Sequence, residues 1–217
     1  KLTMFKAELL QEIRDRFHHV DQCPYQGSRI FFENAGGSLT LKSVVEVSAH
    51  FASIPDNQGR DNPASRELVR IINKAREDMM TFFGVSEGVV FTGESGTELL
   101  FRLVRAAIFG SAEGGNVIGS TLEHPATASA RSQWSPIAGK ENISIAHDKD
   151  QAMVTAEHYL EHVTAETRVA TIIQTSPVVG MAVDVKKIAA AIRSKSPDCF
   201  IIVDSIQHAA HGVMDIG

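Results

Sequence analysis

"RVATIIQTSPVVGMAVDVKKIAAAIRSKSPDCFIIVDS" runs from Arg168 to Ser205. Two short Val/Ile-rich runs flank an amphipathic stretch, Asp184 to Arg193, that predicts a helix. A buried strand, a crossover helix and a second buried strand make a parallel pair. The same alternation continues upstream. "NVIGS" and "NISIAH" read as strands, and helices are expected near Pro125–Gln133 and Ala156–Val163. "GVVFT" is expected to be a strand leading into a helix from Glu98 to Phe109 that ends at Gly110. Pro63 to Phe83 predicts a long helix, because Leu68, Ile71, Ile72, Ala75, Met79 and Phe82 recur at three and four. Before it come a polar loop, "IPDNQGRDNPAS", a helix from Leu41 to Ala52, a strand "RIFFEN" and a first helix from Thr3 to His19. The expected fold class is α/β, a mostly parallel sheet sandwiched by helices. Residues 1–30 form an N-terminal helical segment, and 31–217 form one large domain.

The 217 residues are 43 % hydrophobic and 22 % charged, with a formal net charge of −5. No basic field invites nucleic acid, and "KLTMFKAELLQEIRDRF" is amphipathic with interleaved charges, unlike a signal peptide or a membrane span. Cys23 and Cys199 are far apart, which is neither a disulfide framework nor a zinc set and fits a reducing cytoplasm. His208 and His211, with Asp204 and Asp215 nearby, have ligand-like spacing, but no further cluster completes a metal site, so no metal is expected. Trp134 is assigned to packing. Adjacent His18 and His19 are read as surface residues of the first helix.

Ligands of open α/β sheets sit beyond the carboxyl ends of the strands. Ser95, Gly96 and Thr97 lie where a strand gives way to a helix, a place with free N–H groups and the positive end of a helix dipole. Small residues and hydroxyls there suit a phosphate; the alternative is a well-capped helix with a tight turn. The segment lacks the lysine of a P-loop, the GxGxxG fingerprint and, by one position, the GxSxG elbow. His124 follows one strand and could lie flat on an aromatic ring, or simply cap a helix. Asp204 ends another, where a carboxylate is costly unless paired, or is an ordinary cap. Phosphate cup, stacking imidazole and strand-end carboxylate together match the faces of pyridoxal phosphate.

At this point the sequence resembles the class V aminotransferases and cysteine desulfurase-like enzymes, among the fold-type I pyridoxal-phosphate proteins. "FFENAGGS" is similar to the family's Asn-Ala-Ala turn, which implies substrate-side roles for Asn34, Ala35 and Gly36. "VVFTGESGTELL" resembles its phosphate-binding segment, which implies cofactor contacts from Ser95, Gly96 and Thr97. "LEHPA" is similar to the Glu-His pair, with His124 stacking on the ring. "VDSIQHAAH" resembles the Val-Asp-x-x-Gln segment, with Asp204 on the pyridine nitrogen and Gln207 on the ring hydroxyl. Ser176 and Gly180 of "QTSPVVG" match as well, whereas Pro177 stands where relatives carry an asparagine. The resemblance implies a homodimer acting on an amino-acid substrate through an aldimine and a quinonoid, as transaminase, desulfurase, eliminase or epimerase. Arg60 and Arg66 would approach a partner's site, or are exposed loop charges.

The family's Schiff-base lysine follows the aspartate. Here the chain stops thirteen positions after Asp204, and Lys186, Lys187 and Lys195 precede that strand in what reads as solvated surface. With Lys1 first and no small C-terminal domain, both ends are expected to be incomplete and the chain alone inactive. Two other readings stay open. One is a non-catalytic or degenerate binding protein of the same fold. The other is a serine hydrolase using Ser95 with His124 and Asp204.

Overall fold

Four of the Val/Ile-rich runs pair side by side, all in one direction. In the computed structural model, which describes residues 5–55, 58–214 and 216, the chain divides into two units, Lys1–Glu77 and Asp78–Gly217. The first holds α1 (Ala7–Asp15), a two-stranded antiparallel hairpin of β1 (Gln22–Cys23) and β2 (Gly27–Ser28), and α2 (Lys42–Ala52). The helix α3 (Pro63–Phe82) follows. The second unit contains α4 (Gly96–Gly110), β3 (Asn116–Ser120), α5 (Pro125–Ile137), β4 (Glu141–Ile145), α6 (Ala156–His162), β5 (Thr167–Ile173), α7 (Val185–Lys195), β6 (Phe200–Asp204) and α8 (Ile206–His211).

The sheet order is β4-β3-β5-β6, all parallel. Alternation along the strands divides the core between two faces. Val117, Val169 and Ile202 pack with Leu100, Val104, Ile108 and Ala130 of α4 and α5. Ile118, Ala170 and Ile172 pack with Tyr159 of α6 and Ile188 and Ile192 of α7. The expected α/β sandwich is present. From β3 the chain moves to β4 on one side and then crosses back over β3 to β5 on the other, so the direction of winding reverses there. By the rule for open α/β sheets, ligand crevices form at such a switch point, here the carboxyl ends of β3 and β5.

Three expectations are corrected. The first helix stops at Asp15 instead of reaching His19. Beyond it the chain pairs with the lead-in to α2: Phe17 bridges Leu41, His18 N–H donates to Thr40 O at 3.0 Å, and Lys42 N–H donates to Arg16 O at 2.9 Å. His19, at φ +55°, is left-handed, so His18 and His19 are loop residues, not helical ones. Neither "RIFFEN" nor "GVVFT" forms a strand. A strand needs a ladder partner, and among the described residues neither segment has one beyond the Arg29 N–H donating to Asp21 O at 2.9 Å. Ile30 and Phe32 are 84 % and 88 % exposed, and Val89 and Phe91 are 90 % and 58 % exposed.

Ile172 is 1 % exposed at the centre of the α6–α7 face. Ile172→Ala is expected to lower the unfolding free energy by about 2–5 kcal/mol, read from urea denaturation of parent and variant.

Candidate active site

The start of α4 forms one wall. Ser95 is its N-cap, with extended backbone, and its Oγ accepts the Glu98 N–H at 3.1 Å. The capping reading of Ser95 is therefore realised. The same geometry leaves Gly96 and Thr97 as the first two helical residues, whose amides have no carbonyl within the helix. Ser95 and Thr97 are exposed. A Cβ at Gly96 would lie 2.0 Å from Ile206 Cδ1, so only glycine lets the first turns of α4 and α8 touch without displacing that side chain.

That contact brings the opposite wall into place. Asp204 ends β6 and is 5 % exposed; its Oδ1 accepts the Ile206 N–H at 3.2 Å. Its Oδ2 accepts from Thr127 Oγ1 at 3.4 Å. Thr127 stands one turn past His124, the N-cap of α5. His124 Nδ1 accepts the Ala126 N–H at 3.1 Å, which assigns the proton of the neutral ring to Nε2. The His124 side chain belongs to an exposed residue at the crevice rim. Gln207 is half-buried in the first turn of α8.

The floor is the β5 exit. Ser176 is 2 % exposed, and its Oγ donates to Leu122 O at 3.0 Å, tying this turn to the loop before His124. Gly180, at φ +71°, closes the Ser176–Gly180 turn with an N–H to Ser176 O at 2.9 Å. Pro177 fits this turn, where a fixed φ is an asset. Gln174 joins the set, its Oε1 accepting from Ser205 Oγ at 2.7 Å.

Ser95, Gly96, His124, Ser176, Asp204 and Gln207 thus line adjoining elements of one strand-end region. Asn34, Ala35 and Gly36 lie in the first unit, in a turn closed by Gly36 and Gly37 N–H groups donating to Glu33 O, each at 3.1 Å. The hydrolase arrangement is not formed: the Ser95, His124 and Asp204 side chains bond to Glu98, Ala126, Ile206 and Thr127, not to one another. His208 is bonded to Thr175 at 2.9 Å, and Asp215 lies outside the described residues. Lys187 pairs with Asp184, Lys195 donates to Leu160 O, and Lys186 is exposed, as expected of surface lysines. Arg66 pairs with Asp61 in the first unit, and the Arg60 N–H donates to Ser65 Oγ. Trp134 packs against Phe101, with ring centroids 5.5 Å apart.

Thr127 was not singled out by sequence reading, although its spacing of three from His124 puts both on one helical face. Beneath the rim lies a second polar group, buried Glu123 with Arg131. Glu123 Oε2 accepts from Arg131 Nε at 3.2 Å, and both side chains are essentially sealed from water. Burial pushes the Glu123 carboxyl above the ordinary carboxylate range, while Arg131, Thr171 and the Ser120 N–H pull against that shift.

The polar groups are thus gathered at the switch point of a three-layer α/β fold. Residues 30–217 match the family model for aminotransferase class-V, and the chain belongs to that family. It is 28 % identical over 196 residues to a probable cysteine desulfurase of Mycoplasma genitalium, covering 86 % of this chain and 46 % of that protein. To the cysteine desulfurase-like protein ustD of Aspergillus flavus it is 26 % identical, over 88 % of this chain and 44 % of that one. It therefore spans under half the length of these relatives. A cysteine desulfurase from Thermococcus onnurineus has the same fold, with a TM-score of 0.81 at 18 % identity over 100 % of this chain and 51 % of its own. A C-DES variant with glycine covalently linked to the PLP cofactor superposes at 0.72, with 16 % identity, over 90 % and 51 %.

The two thiols differ in ways that labelling resolves. Burial pushes Cys199 up to about 11, whereas backbone N–H groups of Tyr25 and Gln26 lower the half-buried Cys23. Since the thiolate is the nucleophile, iodoacetamide at mildly alkaline pH is expected to modify Cys23 and spare Cys199 until urea unfolds the chain. Peptide mass spectrometry reads both sites.

Proposed function

We propose that this chain is the cofactor-binding part of a pyridoxal-phosphate enzyme that acts on an amino acid. One observation carries the reading. Buried Asp204 shares a short segment with Ile206, which abuts Gly96 at the start of α4, and is bonded by Thr127 one turn past His124. The donor set fits the group. Among the described residues the Asp204 carboxylate accepts two long bonds, 3.2 and 3.4 Å, so with capacity for about four it retains room for a stronger, cationic partner.

Pyridoxal phosphate, when bound, supplies an electron sink for a substrate carbanion. Ser95, Gly96 and Thr97 would hold its phosphate with amide and hydroxyl donors at the positive end of α4. Asp204 would keep a proton on the ring nitrogen by its charge, and Thr127 would orient that carboxylate. His124 would cover one ring face and Gln207 would bond at its edge, while Ser176, bonded to Leu122 O, would hold the adjoining turn in place. Asn34, Ala35 and Gly36 are carried over from the family as substrate-side residues. Lys186, Lys187 and Lys195 are committed to the surface, away from this cofactor role. Cys199, buried and protonated at neutral pH, is unsuited to be a desulfurase nucleophile. The family and the cysteine usage support a cytoplasmic homodimer. No helix among the described residues is long and apolar enough to cross a membrane.

The complete protein is expected to take up the cofactor with an absorbance band at about 420 nm that borohydride removes. A protein that takes up none sinks the reading, and uptake without a borohydride-sensitive band favours a degenerate binder. Asp204→Asn is expected to leave phosphate anchoring intact and slow exchange of amino-acid α-protons in heavy water about 100-fold, ~2.7 kcal/mol. Exchange by the variant at the parent rate would remove Asp204 from its role.

A further inference from the structure

Glu123 and Arg131 have no part in the chemistry just described, yet both side chains are essentially sealed from water. The pair costs more to desolvate than its mutual attraction returns, unless further bonds satisfy it. Those bonds are present. Glu123 Oε1 accepts the Ser120 N–H at 3.0 Å and the Thr171 hydroxyl at 2.7 Å. Arg131 Nη1 donates to Asn142 Oδ1 at 3.0 Å and to Ile143 O at 3.1 Å. Tyr159 Oη donates to the Thr171 carbonyl at 2.7 Å from the other side of the sheet. One carboxylate thereby ties the end of β3, the middle of β5 and the second turn of α5, and Arg131 extends the tie to β4.

Gly119 shows how closely this cluster is fitted. A Cβ there would lie 2.2 Å from Thr171 Oγ1, 2.5 Å from Glu123 Oε1 and 2.7 Å from Arg131 Cζ. The residues that this knot immobilises are the rim residues of the site. His124 is the next residue in the chain after Glu123. Leu122, the residue before, accepts from Ser176 Oγ, and its N–H donates to Ser120 Oγ at 3.3 Å.

We propose that the Glu123–Arg131 pair is a positioning device: it fixes the Ser120–His124 loop, and through it the His124 ring and the Ser176 turn, in the arrangement that receives the cofactor. The inference deepens the pyridoxal-phosphate reading and rests on it for the identity of the ligand. A cluster kept only for stability would be replaceable by apolar side chains of similar volume, which are often neutral or stabilising at such sites. A positioning cluster would not.

The test compares the complete parent protein with a variant carrying Glu123→Leu, Arg131→Met and Thr171→Val together. The thermal midpoint is expected to stay within about 5 °C of the parent. Amide hydrogen exchange at Leu122 and Ala126 is expected to rise about tenfold while the β5 and β6 amides keep their protection. The dissociation constant for pyridoxal phosphate is expected to rise about tenfold, with reduced induced circular dichroism of the bound cofactor. Unchanged exchange at Leu122 and Ala126 overturns the proposal, and so does unchanged affinity in a parent that binds the cofactor. If the parent takes up no cofactor, the functional reading falls and the exchange measurement alone decides this one. Should the triple variant not fold, Thr171→Val, which removes one hydroxyl and keeps the ion pair, is read the same way. Its expected change is about two- to threefold, and none overturns the inference.

Discussion

Parallel strands all finish at the same edge of a sheet, and in this chain the register of β3 against β5 governs what meets there. Val117 pairs with Val169 and Ile118 with Ala170. That alignment places the Ser120–His124 loop beside the Gln174–Gly180 turn, and the Ser176–Leu122 bond closes the gap between them. β6 joins β5 through Ile173 and Asp204, which delivers the carboxylate to the same edge. A slip of one residue would turn Val117 and Val169 toward the wrong helices and carry each rim residue out of reach.

The polar residues at this edge work against the economy of the core around them. Asp204 and Glu123 are both carboxylates removed from water, and neither is what a sheet would select for stability alone. They differ in how they are satisfied. Glu123 accepts from an arginine, a hydroxyl and an amide. Asp204 has two long contacts and a remaining appetite for positive charge. On the proposed reading the first serves the scaffold and the second the cofactor, with Glu123 just before the N-cap of α5 and Asp204 bonded from Thr127 in its first turn. Proteins commonly hold a reactive group by such a quieter neighbour.

Much of this was legible in the sequence. The four sheet strands and the helices α2 to α7 follow from Val/Ile runs and from three-and-four spacing, because burial on two faces leaves an unmistakable pattern. Gly96 and Asp204 could be read from their positions at strand and helix ends. What failed were segments whose conformation depends on partners. "RIFFEN" and "GVVFT" have the composition of strands, but composition supplies no ladder. α1 ended early because Phe17 and His18 pair with residues more than twenty positions away, a contact no local window contains. Thr127 and Arg131 escaped notice for a related reason. Each is an ordinary helix residue until the fold brings a carboxylate from elsewhere to meet it.

The segment from Val89 to Thr92 lies just before α4, with Val89 and Phe91 largely exposed and no ladder partner among the described residues. Phe200 is half exposed along β6, which is itself an edge of the sheet. Flat, unprotected and hydrophobic stretches of this kind template cross-chain pairing. Handled in isolation, this polypeptide therefore carries a built-in tendency to self-associate and come out of solution as its concentration rises. Charged residues grafted at positions 89 and 91 would be the natural remedy.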